Sequence, residues 1–258
     1  MRTLLEKLRE GRILLGICVM YPVAGIVERI GPDWDFVWID SQHGQHDYHS
    51  LLESVRAADF RGVESLIRVP GHDAGSIGRA LDMGASGVLV PQVDTREQAE
   101  SVIRASKFPP TGNRSFGGRR PVDVYGRSYS HTANRDVALV VQIESQAAVE
   151  NAEAILSLDG IDAFFFGPDD MALRDGLPMD QPRPAGLYDE SLKRMIEIGK
   201  RYSVFGGGVF ASPEAFQKAV ELGFSLISVG GDAGFLAEGS QKSSEKMRAL
   251  LKAGTGKR

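Results

Sequence analysis

The chain reads as an α/β protein of the (β/α)8, or TIM-barrel, class with an N-terminal helix, and three observations predict it. Strand-length apolar runs alternate with helix-period segments eight times, the pattern of a parallel sheet built from βα units. The 258 residues suit one such barrel as a single domain over 1–258, with no linker or composition shift to divide them. No G-x-G-x-x-G follows the first strand, which disfavours an open doubly wound sheet.

The elements follow in order. An amphipathic opening, M-R-T-L-L-E-K-L-R-E-G, ends in a helix-stopping glycine. Ile13 to Met20 is the first strand, and Pro22 to Ile30 its helix, with proline near the start. Phe36 to Ile39 forms the second strand and ends at Asp40. After the polar loop S-Q-H-G-Q-H, Asp47 caps a helix over Tyr48 to Ala58. Val63 to Val69 is the third strand, with Arg68 at its end, and Ala74 to Met83 its helix. Gly87 to Val90 is the fourth, followed by a helix over Thr95 to Lys107. The period breaks from Phe108 to Arg135, a loop rich in Pro, Gly, Arg and Tyr, and so long an insertion is usually functional or a lid. Strands five and six are A-L-V-V-Q-I-E from Ala138 and I-D-A-F-F-F-G from Ile161, with a helical segment between them. A polar loop over Arg174 to Tyr188 leads to a helix over Glu190 to Arg201. Val204 to Phe210, Pro213 to Leu222 and Leu226 to Val229 complete the alternation, and Ala233 to Lys252 carries the last helical segments.

Composition excludes some classes of function. The net charge of -4 gives no case for nucleic acid or an anionic membrane. A single Cys18 in an apolar run excludes a disulfide framework and predicts a buried thiol. No signal-peptide core is present and no apolar run approaches the ~20 residues that cross a bilayer, so a cytoplasmic protein is expected.

In a barrel the active site lies at the C-terminal strand ends. Those ends carry Asp40 with His43, Arg68, Pro91, Gln142 with Glu144, and Asp169 with Asp170. Glu144 and one of the two aspartates end successive strands, and two hard oxygen ligands on a largely apolar rim suggest a divalent cation. Capping of the following helices is the simpler use of either acid alone. His43, three residues after Asp40, is placed to donate a ring N–H to that carboxylate and act as a base. His46 and His49 follow at intervals of three, but Gly44 argues against the helix that would align them for zinc. Arg68 suits an oxyanion or a carboxylate, or pairs with a rim acid. Arg114, Arg119 and Arg120 read equally as partners of an anionic substrate or a neighbouring subunit and as solvated side chains. Gly206 to Gly208 and Gly230-Gly231 lie where many barrels bind phosphate, although glycines inside a strand more often relieve crowding.

Six ordered motifs, W-I-D-S-Q-H-G, I-R-V-P, A-L-D-M-G-A-S-G-V-L-V-P-Q-V-D-T, K-F-P-P-T-G-N-R, V-V-Q-I-E-S and G-P-D-D-M, resemble the HpcH/HpaI family of metal-dependent class II 2-oxoacid aldolases, over about Gly16 to Gly234. The resemblance implies a barrel, a homo-oligomer (hexamer or trimer) and a last helix exchanged between neighbours. It makes Glu144 and Asp170 the ligands of Mg2+, Mn2+ or Co2+. It gives Asp169 a role through its backbone amide, which with that of Asp170 and beside Gly167 would hold the substrate carboxylate, and makes Gln142 a further contact near the metal. It makes His43 with Asp40 a catalytic dyad and places Arg68 on the substrate oxo group. The expected reaction is addition of the enolate of pyruvate or hydroxypyruvate to an aldehyde, and the reverse cleavage. No strand end offers a lysine for a Schiff base. Decarboxylation of an oxaloacetate-type acid through the same enolate is the alternative, and a non-catalytic binding barrel is the alternative of another class. Gln42, where the family commonly has Glu, Ser115, where it commonly has Gly, and the Arg174 to Tyr188 loop depart from the family pattern and bear on substrate choice.

Overall fold

A computed structural model describes residues 3–184 and 186–255; residues 1–2, 256–258 and one position of the Arg174 to Tyr188 loop lie outside the described residues. The chain order is α1 (Leu4–Arg9), β1 (Leu14–Val19), α2 (Ala24–Ile30), β2 (Phe36–Asp40), α3 (Tyr48–Arg61), β3 (Glu64–Arg68), α4 (Ala74–Asp82), β4 (Gly87–Val90), α5 (Arg96–Ser106), α6 (Arg119–Tyr125), α7 (Ala133–Asp136), β5 (Ala138–Ile143), α8 (Gln146–Glu150), α9 (Ala152–Leu156), β6 (Ala163–Phe166), α10 (Pro168–Arg174), α11 (Asp189–Tyr202), β7 (Phe205–Val209), α12 (Pro213–Leu222), β8 (Leu226–Gly231) and α13 (Asp232–Thr255). The strands close in sequence order, β8 pairing back onto β1, and every pair is parallel. The predicted barrel with its N-terminal helix is the observed fold.

Alternate residues of each strand face opposite sides. One set, including Leu14, Cys18, Phe36, Trp38, Leu66, Leu89, Val140, Phe165 and Leu226, fills the lumen. The other, including Ile17, Val37, Ile67, Val88, Leu139 and Phe164, packs beneath the helices. Large aromatics inside the barrel need small residues opposite them. A Cβ at Gly207 would lie 2.9 Å from the Phe165 ring, and one at Gly206 would lie 2.4 Å from Ile196 Cδ1. The glycines of β7 therefore relieve crowding, and the phosphate reading has no support from them.

The Phe108 to Arg135 segment is not an open loop. It holds α6, a 3-10 turn over Arg127–His131, and α7. It also joins a helix to the start of a strand, which places it at the N-terminal end of the barrel, away from the rim; the lid reading is corrected. Arg114 pairs with Asp82 at 2.9 Å, Arg119 with Asp123, and Arg120 with Asp59 and the Met83 carbonyl, so acids of this same chain already hold all three arginines. Among the described residues no helix is long and apolar enough to cross a membrane.

Candidate active site

The same alternation that fills the lumen brings polar side chains into it at its C-terminal mouth. In β2 the inward series Phe36, Trp38 ends at Asp40, in β3 Leu66 is followed by Arg68, and the register sets Asp40 beside Arg68. Arg68 donates from Nε to Asp40 Oδ1 at 2.9 Å and from Nη2 to Oδ2 at 2.5 Å. Asp40 is fully buried and Arg68 nearly so. Burial alone would raise the Asp40 carboxyl, but the Arg68 hydrogen bonds and charge, with the backbone amides of His43 and Gln42, hold it below its ordinary range. The guanidinium lies 4.8 Å above the Trp38 ring centroid. Its Nη1 makes no hydrogen bond among the described residues and is not sealed from solvent, so N–H donors remain free at the mouth.

The expected hydrogen bond from the His43 ring to Asp40 does not form. Asp40 Oδ1 accepts the His43 backbone amide at 3.2 Å and that of Gln42 at 3.0 Å, while the ring stays exposed. A charged two-pronged donor outcompetes a single ring N–H for a buried carboxylate. Asp40 thus sets the turn that carries His43, and the His43 ring is free to face a ligand. His46 turns inward instead, with Nε2 3.2 Å from the Val19 carbonyl.

Two strands on from β3, at the end of β5, inward-facing Gln142 precedes Glu144, which is 1% exposed. Glu144 Oε1 accepts the Gln92 amide at 2.8 Å and Oε2 accepts the Gln142 amide nitrogen. This leaves Gln142 Oε1 buried without a partner. Burial pushes the Glu144 carboxyl up to about 7; the neighbouring Asp170 charge adds to the rise and the Gln92 amide opposes it. Gly167 makes the closeness possible, since a Cβ there would lie 2.7 Å from Glu144 Oε2 and 2.8 Å from Gln142 Nε2. Asp170 is half-buried, whereas Asp169 is exposed and its carboxylate is held by Arg183. The amides of Asp169 and Asp170, in the first turn of α10, have no intrahelical acceptor. Two converging carboxylates and an orphaned amide oxygen form an all-oxygen donor set, which fits a divalent cation.

Three comparisons bear on this site. The family model for HpcH/HpaI aldolase/citrate lyase matches residues 22–238. The chain belongs to the HpcH/HpaI aldolase/citrate lyase family. As a member it is a carbon–carbon lyase, the class expected from its motifs. It is 34% identical to a 4-hydroxy-2-oxovalerate aldolase of Novosphingobium aromaticivorans over 96% of this chain and 95% of that one. It is 33% identical to a hydroxypyruvate/pyruvate aldolase of Rhizorhabdus wittichii over 84% of this chain and 87% of that one. Among solved structures, an HpcH/HpaI aldolase from Desulfitobacterium hafniense superposes with a TM-score of 0.87 at 27% identity, covering 96% and 97% of the two chains.

Within this HpcH/HpaI barrel the tertiary structure adds residues that the strand ends did not reveal. Gln92 takes a positive φ of 56° to aim its amide at Glu144. Asp232, 1% exposed, accepts the amides of Met20 and Tyr21, each at 3.0 Å, and so ties the β1 loop to β8 across the rim. The only sequence signal for Gln92 is its place just after Pro91 at a strand end; for Asp232 it is a carboxylate opening the last helix. The buried Lys107 lies at the other end of the barrel, its Nζ 2.7 Å from Asp162 Oδ2, which removes it from the chemistry of the rim.

Proposed function

We propose that the chain catalyses reversible aldol cleavage of 4-hydroxy-2-oxoacids through the enolate of pyruvate or hydroxypyruvate, with Mg2+, Mn2+ or Co2+ held by Glu144 and Asp170. The observation that carries this reading is the buried Glu144, brought against Asp170 and an orphaned Gln142 oxygen, on the same rim as a guanidinium with free donors two strands away. The names of the relatives, aldolases of 4-hydroxy-2-oxovalerate and of hydroxypyruvate and pyruvate, support the same donor class. When bound, the cation supplies positive charge to a chelating oxoacid.

The chain's own residues do the rest. The free amides of Asp169 and Asp170 meet the substrate carboxylate, as first-turn amides suit an anion. Arg68 donates from Nη1 to the oxo oxygen, whose negative charge grows as the enolate forms, and the low-dielectric mouth strengthens that bond. Asp40 keeps Arg68 in place and holds the turn on which the exposed His43 sits. His43 takes the C3 proton, and returns one when the enolate is quenched. Gln142 supports Glu144 from one side while Gln92 supports it from the other. The same groups would accept an oxaloacetate-type acid, with loss of CO2 in place of the proton.

In this reading the assembly is a homo-oligomer, hexamer or trimer, with α13 exchanged between neighbours; the exposed Met247 and Leu250 near its far end support it. A cytoplasmic site of action is consistent with the lack, among the described residues, of a helix long and apolar enough to cross a membrane.

The test is metal binding and proton exchange together. Glu144→Gln and Asp170→Asn should each weaken Mn2+ binding by more than the ~10–100-fold typical of groups that merely support a ligand. Both should lose exchange of pyruvate methyl protons in deuterated water. An Asp170→Asn protein that binds Mn2+ like the wild type would overturn the ligand assignment. Faster turnover of oxaloacetate than of any 4-hydroxy-2-oxoacid would favour the decarboxylase.

A further inference from the structure

The lumen beneath the rim contains an aromatic arrangement that core filling alone does not require. Trp38 is 6% exposed and faces inward one turn of the pleat below Asp40. Its Nε1–H donates to Ser228 Oγ at 2.9 Å, a bond that crosses from β2 past β1 to β8, and Ser228 is fully buried. Its ring also leans on Phe165, with centroids 5.8 Å apart and an interplanar angle of 53°. Phe165 in turn occupies the space that a side chain at Gly207 would take. The indole is thereby fixed from two sides, and the Arg68 guanidinium rests on its face.

We infer that Trp38 is a positioning residue for Arg68, presenting its free Nη1 donors to the substrate oxo group. Asp40 grips one edge of the guanidinium, but an edge contact leaves the plane free to swing about that edge. A ring face under the plane removes this freedom, and the attraction between cation and π-cloud is strengthened because the pair is largely desolvated. Ser228 and Phe165 matter because a mobile indole could not serve as a reference surface. The inference rests on the proposed role of Arg68.

The experiment measures methyl-proton exchange of pyruvate by the Mn2+-loaded protein for the wild type, Trp38→Leu, Trp38→Phe, Ser228→Ala and Arg68→Lys, with thermal unfolding of each. Trp38→Leu should lower kcat about ten-fold with KM kept within about two-fold, because the lost contact acts on the transition state. Trp38→Phe, which keeps a ring face, should restore most of the rate. Ser228→Ala should lower kcat by a smaller factor, and it decides the matter if Trp38→Leu does not fold. Unchanged kcat in Trp38→Leu, or in Ser228→Ala where Trp38→Leu is lost, overturns the inference. So does a Trp38→Phe rate as low as that of Trp38→Leu. If Arg68→Lys exchanges as fast as wild type, the role of Arg68 itself is wrong; if it fails while Trp38→Leu is unaffected, only the role of Trp38 is. A wild type without exchange overturns both.

Discussion

Asp40 is the side chain on which most of the rim depends, because donors from three residues, two backbone amides and a guanidinium, meet on one carboxylate. Replacing it with Asn leaves Arg68 buried without its counter-charge, which should cost about 3–5 kcal/mol. The folded carboxyl titrates below its ordinary value near 3.8, so the ionised form contributes stability at neutral pH that is lost as pH falls through the lowered value. Urea midpoints of the wild type should therefore drop below about pH 4 more steeply than those of Asp40→Asn. Parallel curves for the two proteins would refute the pairing. Cys18 offers a second check. Burial, with Asp40 adding to it, pushes the thiol well above its usual range, Arg68 only partly offsetting this. Iodoacetamide should label it slowly in the native protein and readily after unfolding. The strand-end acids and Arg68 were legible in the sequence as residue types at positions. That Arg68 could pair with a rim acid was legible too, but not which one, because Asp40 to Arg68 is a contact across 28 positions of sequence and excludes the local His43 alternative.

Helices whose starts are set by neighbouring residues were read well. Thr3, Asp47 and Thr95 each accept the amide of the third helical residue on their own side chains and donate their backbone amides to that residue's side chain, and Ser212 caps ahead of Pro213. Helix α6 was missed, since Gly118 offers no capping side chain and the segment is held from outside by Arg120 on Asp59, 61 positions away. The same end of the barrel contains the junction of α5 with β6. Lys107 is 2% exposed and donates to Asp162, to the Val137 carbonyl at 2.9 Å and to the Asn134 carbonyl at 3.2 Å. Burial raises the Asp162 carboxyl even against the Lys107 charge. Lys107→Met should lower stability by about 3–5 kcal/mol while KM for pyruvate stays unchanged. A large change in KM with little loss of stability would place Lys107 in the wrong functional layer.

At the scale of the whole molecule, α13 runs on from β8 with Phe235, Leu236, Met247 and Leu250 exposed. A chain lacking residues 240–258 should show a smaller mass by light scattering if this helix is exchanged between subunits, and the same mass if it is not. The barrel itself was determined by the sequence alone. Eight apolar runs of strand length separated by helical periods bury their surface in one way once consecutive strands pair in parallel, and that burial is indifferent to the details of any one side chain. The sequence by itself also placed each candidate group at a strand end, because strand ends are a local property. Only the tertiary structure decided which groups meet: that Arg68 takes Asp40, that Gly167 lets Glu144 sit against Gln142, and that Trp38 lies under the guanidinium. Such contacts depend on register, stagger and the space left by glycines on other strands, and hydrogen-bond and packing contacts act only over a few ångströms, so no spacing along the chain encodes them directly.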